Sequence, residues 1–271
     1  MPAAYAHYRF GQAVFSRLPQ DKQTIIQAHR PLYDLGLHGP DLLFYYRPLS
    51  HDPLKRQGSA MHQAPAAAFF RPAAELLCSA QEGEALAAYL WGFLCHFALD
   101  LHCHAYIDAT AGSGSPGHFE MEADFDRALL REAGLAIEPS NVTGHIKPSR
   151  AGMELVCKLF PNVSAGQLYR AAREMIVNLN FLSSQNRLVR GVVRAALKIS
   201  GRYETLGPML LPAKPNPRCA ESSHQLMTLY SQAQDTAVKL IEGFQESARG
   251  RRDYDLLFEY NFAGQLKEDT P

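Results

Sequence analysis

Tyr89–Tyr106, YLWGFLCHFALDLHCHAY, decides the fold. His96, Asp100 and His104 fall at i, i+4 and i+8; at 3.6 residues per turn they drift by only about 80° over two turns, so they share one helical face. Leu90, Trp91, Phe93, Leu94, Phe97, Ala98 and Leu99 make the segment apolar almost all the way round, the pattern of a helix inside a protein. Burying two imidazoles and a carboxylate is costly without partners. A metal ion is the expected partner. The plain alternative is a set of satisfied core histidines with a salt-bridged Asp100.

Two observations favour the metal. His118-Phe-Glu-Met-Glu122 is a second i, i+4 pair able to chelate from one face, in the manner of helical zinc sites. Of the 11 histidines, nine lie at or before His118, where the carboxylate pairs also lie. His102, about 240° round the helix from His96, points elsewhere. Cys95 and Cys103, about 100° from their neighbouring histidines, read as packing residues.

Ala3–Leu18 reads as an amphipathic helix with His7 in its first turns and Pro19 at its end. Asp21 is expected to cap a second helix. Gly36-Leu-His-Gly-Pro-Asp41 is a tight turn delivering Asp41 to the apolar run Leu42–Tyr46. A carboxylate so placed suits a ligand or base, and equally an ordinary N-cap. Pro48–Ser59 reads as irregular, His62 as a helix-start residue, Pro65–Ser79 as a helix, and Glu82–Ile107 as the central helix. After the linker Gly112–Gly117, a helix is expected from His118 to about Ala133.

Leu135–Arg150 reads as loop. Helices resume over about Ala151–Phe160 and run from Ala165 toward Ser200. Arg187, Arg190, Arg194 and Lys198 form a basic stripe there, suited to phosphate or an anionic membrane surface, the ordinary reading being a solvated face. Gly201–Arg218 reads as a long loop, Ser222–Phe244 as the last amphipathic helix and Tyr254–Phe262 as an apolar patch. Strand-type alternation is scarce, and all-α is the expected class. One helical domain over 1–271 is expected, with a metal-binding half (1–134) and a second helical half (135–271).

Lys and Arg total 27 and so do Asp and Glu, and hydrophobic residues make up 46%. Nothing in that balance favours nucleic acid. Five cysteines without a CxxC, and no signal-peptide pattern at the start, suggest reduced thiols and a cytoplasmic protein. Tyr89–Tyr106 carries Asp100 and three histidines, which argues for a core helix over a membrane span.

The ordered pieces HYRFG from His7, LGLHGPDLLFYY from Leu35, YLWGFLCHFALDLHCHAYI from Tyr89 and HFEMEADFD from His118 together resemble the zinc-dependent phospholipase C family. Those are mainly helical bacterial enzymes related in architecture to the S1/P1 nucleases. The likeness covers about Tyr5–Asp126. It implies two to three Zn2+ in a cleft: Asp41, His62, His96 and Asp100 on one ion, with Asp100 bridging; His104, His118 and Glu122 on another; His7 on the remaining one. Secreted members complete that last site with an N-terminal Trp, whereas this chain begins Met-Pro.

The resemblance implies hydrolysis of a phosphodiester or phospholipid headgroup by metal-activated water, with Asp41 orienting or deprotonating the water. Asp108, Glu120 and Asp126 are candidates to support the ligands. Leu42 stands where choline-hydrolysing relatives place an aromatic, so no choline preference carries over. Phe44, Tyr45 and Tyr46 suit either core or a headgroup wall. An HD-type phosphohydrolase would need its His-Asp pair at His51-Asp52, in a polar loop. A metal-stabilised binding module without turnover is the alternative from outside enzymes.

Overall fold

The computed structural model describes residues 4–48, 50, 52–112 and 116–266. The chain is all-α: among the described residues it forms helices, 3-10 turns and one isolated bridge, with no strand. Helix α1 (Ala4–Phe15) is followed by α2 (Gln20–Ala28) and α3 (Arg30–Gly36), then by a 3-10 turn, Gly39–Tyr45. Next come α4 (Pro53–Gln63), α5 (Ala67–Ser79), α6 (Gly83–Thr110) and α7 (His118–Glu132). The second half holds α8 (Pro139–Thr143), α9 (Arg150–Val156), α10 (Ala165–Ser183), α11 (Arg187–Ile199), α12 (Tyr203–Leu206) and α13 (Ala220–Ala248).

Helix α6 is the axle. From Ala85 to Asp100 every residue is buried, and α3 and α13 make the most extensive contacts with it. It is long and apolar enough to cross a membrane, yet the window that passes that test is 89% buried inside the protein. Its solvent is other helices. On one side Phe69, Phe70, Phe93, Phe97, Phe244 and Phe258 interlock through stacked and edge-on rings, geometry that adds to simple area burial.

The α3–α6 contact depends on glycine. Gly36 and Gly92 face one another so closely that a Cβ on Gly36 would stand 2.1 Å from the Tyr89 carbonyl oxygen, and one on Gly92 would stand 2.2 Å from that of Tyr33. Backbone meets backbone at this crossing, which draws the start of the Gly39–Tyr45 turn against α6.

Several boundaries differ from expectation for local reasons. Half of the segment read as irregular is helix α4, because Asp52 accepts a hydrogen bond from Leu54 N and Pro53 fits the first turn. Asp21 lies inside the first turn of α2, with Pro19 at the N-cap. Within the segment read as loop, Pro139 opens the single turn α8. The stretch read as continuous from Ala165 breaks at Ser184–Asn186, where Asn186 accepts from Leu188 N and Val189 N and restarts the chain as α11. The expected loop Gly201–Arg218 contains α12 and two 3-10 turns. Met1-Pro2, His51 of the HD-type pair and Ser113–Ser115 of the linker lie outside the described residues.

Candidate metal centre

All eight side chains expected as ligands converge from five elements. Helix α1 presents His7, the 3-10 turn Asp41, α4 His62, α6 His96, Asp100 and His104, and α7 His118 and Glu122. Three groups have ligand atoms mutually within 4.8 Å: His7, His96 and Asp100; Asp41, His62 and His96; His104, His118 and Glu122.

Asp100 is the hub. Its Oδ1 lies 3.3 Å from His7 Nε2 and 3.5 Å from His104 Nε2, while its Oδ2 lies 3.1 Å from His96 Nε2 and 3.8 Å from His62 Nε2. Asp41 Oδ1 is 3.1 Å from His62 Nε2. Glu122 Oε1 stands 3.5 Å from His104 Nε2 and 3.4 Å from His118 Nε2. The His7 ring stacks on that of His96, centroids 4.2 Å apart, so His7 joins the central group.

The turn that delivers Asp41 is tied to this geometry. Gly39 has φ +47°, and a Cβ there would meet the His96 ring at 2.4 Å. Only glycine gives both the left-handed backbone and the clearance.

Supporting contacts fix the rings. His62 Nδ1 lies 2.8 Å from Gly58 O and His96 Nδ1 lies 3.2 Å from Leu37 O, which directs each Nε2 into the site. His118 Nδ1 is held by Asp108 Oδ1 at 2.9 Å. Asp126 accepts from Tyr5 N and Ala6 N and thereby anchors the start of α1 just before His7; its burial pushes the carboxyl up to about 8. Glu120 instead accepts from Gly117 N and caps α7. His102 turns away to Thr236 Oγ1 at 2.8 Å, and Cys95 contacts the Tyr33 hydroxyl.

The electrostatics describe a site poised for cations. Burial works against the charge of Asp100, yet the imidazoles of His104 and His96 hold its carboxyl well below the ordinary range. Asp41 is likewise held low against burial, with His62 and His96 beside it. His104 moves the other way: burial opposes its charge, but Asp100 and Glu122 push it up to about 9.

A fit test comes from two buried atoms that face each other without hydrogen-bond partners, His96 Nε2 and Asp100 Oδ2. His96 Nε2 and Asp100 Oδ2 approach each other to 3.1 Å without hydrogen-bond geometry. Leaving such groups unsatisfied costs roughly 1–3 kcal/mol each, and a cation shared between them removes that cost. The nitrogen and carboxylate donor set suits zinc.

A model of the family described as zinc dependent phospholipase C matches residues 6–172. The chain belongs to that family. No curated protein and no solved structure gives a significant match. The match reaches well beyond the stretch whose resemblance is evident by eye, through α9 and into α10, so the zinc-dependent phospholipase C region includes residues of the second half.

Some of those residues were missed from the sequence. His145, between α8 and α9, places Nε2 2.8 Å from His38 Nε2, and Tyr8 stacks on it at 3.9 Å. Burial pushes His145 down to about 3 and His38 well below its usual value. The pair is therefore neutral at ordinary pH and braces the Asp41 turn from behind. Phe262 closes the other side, its ring 5.2 Å from His62 and 5.9 Å from His96, with its N donating to His62 O. Phe44 lies 5.4 Å from His62, whereas Tyr45 and Tyr46 are buried.

Zinc uptake should displace protons. Without metal, His104 keeps its proton to about pH 9. Its contribution to stability is then full below about 6.5 and is lost as pH rises through about 9. Zinc needs the neutral ring, so affinity should run oppositely, rising with pH up to about 9. Calorimetric titration at pH 7.5 in buffers of different ionisation enthalpy should show release of about one proton or more per chain; proton uptake would contradict the assignment.

Proposed function

We propose that this protein hydrolyses the phosphodiester of a phospholipid headgroup or a similar phosphoric ester, with zinc held by His7, Asp41, His62, His96, Asp100, His104, His118 and Glu122. The observation that carries the reading is Asp100, a buried carboxylate within 3.8 Å of four imidazole nitrogens, each oxygen facing two of them. One carboxylate so shared suits a bridge between adjacent ions.

Bound zinc would supply Lewis acidity toward the phosphoryl oxygens and lower the pKa of a water toward neutrality. The chain's residues do the rest. Asp41, kept ionised, accepts a hydrogen bond from the water and orients it. Asp108 fixes the tautomer of His118 through Nδ1. Phe262 and Phe44 screen His62 from solvent. The His118 side chain is 30% exposed, against 5% or less for His7 and His96, so substrate enters from the His118 side.

The test is headgroup release from dispersed phosphatidylcholine, phosphatidylethanolamine, phosphatidylinositol and phosphatidylglycerol, with zinc-reconstituted and chelator-stripped protein. Zinc-dependent release that falls at least a hundredfold in Asp41→Asn supports the reading. Zinc-loaded protein that releases no headgroup and also spares soluble phosphodiesters would contradict it and leave a metal-stabilised binding module.

A further inference from the structure

Helix α11 is built for a surface. It contains no buried residue. Its half-buried positions, Val189, Arg190, Val193 and Leu197, lie toward the protein, and Arg190 is tied down by donating to Ser184 O and Leu211 O. The opposite face is apolar: Leu188, Val192 and Ile199 are 80%, 70% and 89% exposed, and helical spacing places them within about 40° of one another with Ala195 beside them. Along one flank of this stripe run Arg187, Arg194 and Lys198, all exposed.

A globular protein normally turns such a stripe inward. Here it is presented outward, and a helix of this length is marginal by itself in water. The charge is equally one-sided. Between Glu174 and Glu204 the chain has no acidic residue and five cationic ones, although it is neutral overall.

We propose that α11 docks the protein on an anionic phospholipid surface, with Leu188, Val192 and Ile199 entering the headgroup–acyl boundary and Arg187, Arg194 and Lys198 meeting lipid phosphates. Charge decides the occupant. A second copy of this chain would bring like cations to one interface, and a nucleic acid would leave the apolar stripe uncovered, whereas an anionic bilayer satisfies both features. Arg190 and Arg194 of α11 share a cleft of about 200 Å3 with Glu120 and Ala123 of α7, the helix that carries His118 and Glu122. The lipid identity of the partner rests on the phospholipase reading; the outward stripe does not.

The experiment is co-sedimentation of the full chain, chelator-treated so that no turnover occurs, with vesicles of phosphatidylcholine alone and of phosphatidylcholine with phosphatidylglycerol. Binding should require the anionic lipid. Leu188→Ser/Val192→Ser/Ile199→Ser should weaken it about tenfold or more, and Arg187→Glu/Arg194→Glu/Lys198→Glu about a hundredfold; these sites are exposed, and near-native melting would show that both variants fold. Three results would overturn the proposal: no binding by the unmodified chain; a serine variant that binds as well as the parent, which reduces the helix to a cationic face; or a dimer in solution that the serine variant converts to monomer. Zinc-loaded protein assayed on monomeric short-chain phospholipid separates the two ideas. Vesicle binding without hydrolysis there sinks the phospholipase reading alone, and hydrolysis without vesicle binding sinks the docking helix alone.

Discussion

Asp100→Asn should lose most of its zinc and nearly all activity, and should melt lower than the parent. The change keeps the shape and removes one charge. In the parent, four imidazole nitrogens lie within 3.8 Å of this carboxylate, and the side chain is almost wholly buried. Breaking one partner of a buried charge cluster costs about 3–5 kcal/mol, equivalent to roughly a hundredfold to several thousandfold in an equilibrium. The amide also presents one acceptor where two sets of ligands need one each. Metal content by elemental analysis and melting by calorimetry read the effect. The control is His102→Ala on the same helix, whose ring faces Thr236; it should keep its zinc. A fully loaded Asp100→Asn would remove the bridge from the account.

Gly92→Ala should be the most damaging single-methyl addition on α6. The new Cβ would lie 2.2 Å from the Tyr33 carbonyl and 3.0 Å from Leu37 N, both backbone atoms, so no side chain can swing aside. Alanine gains about 1 kcal/mol in helix propensity, but forcing two packed helices apart typically costs about 1–3 kcal/mol and here should reach the top of that range or beyond. The net loss should lower the melting temperature by several degrees. Because α3 leads into the turn bearing Asp41, zinc affinity should fall as well. Gly191→Ala on α11, with nothing within 4 Å of the new methyl, should instead raise stability slightly. A Gly92→Ala protein as stable as the parent would mean the α3–α6 crossing is looser than described.

The parts of the site that sequence reveals are those held by helical period. His96, Asp100, His104, His118 and Glu122 stand at spacings that one helix converts directly into a shared face. His7, Asp41 and His62 were legible through the order of short motifs resembling the family, since nothing local tells a ligand at Asp41 from an N-cap. His145 was not legible: a lone histidine in a Pro- and Gly-containing stretch carries no sign of a partner at His38, 107 positions away. Phe262 was visible only as part of an apolar patch, because its role depends on how the chain returns after α13. The break before α11 was missed because Ser184-Gln185-Asn186 contains neither Gly nor Pro, and a single capping Asn is a weak signal. Of the four residues in the basic stripe, Arg190 is turned inward by two carbonyls, which helical spacing alone does not reveal.

The most direct test of the whole account is the metal content of protein purified without chelator or metal-affinity resin and then dialysed. Two to three zinc ions per chain, lost together with activity on chelation, is the result that the shared Asp100 and the three convergent groups predict. A folded chain that retains no metal would contradict it and return His96, Asp100 and His104 to the role of core residues.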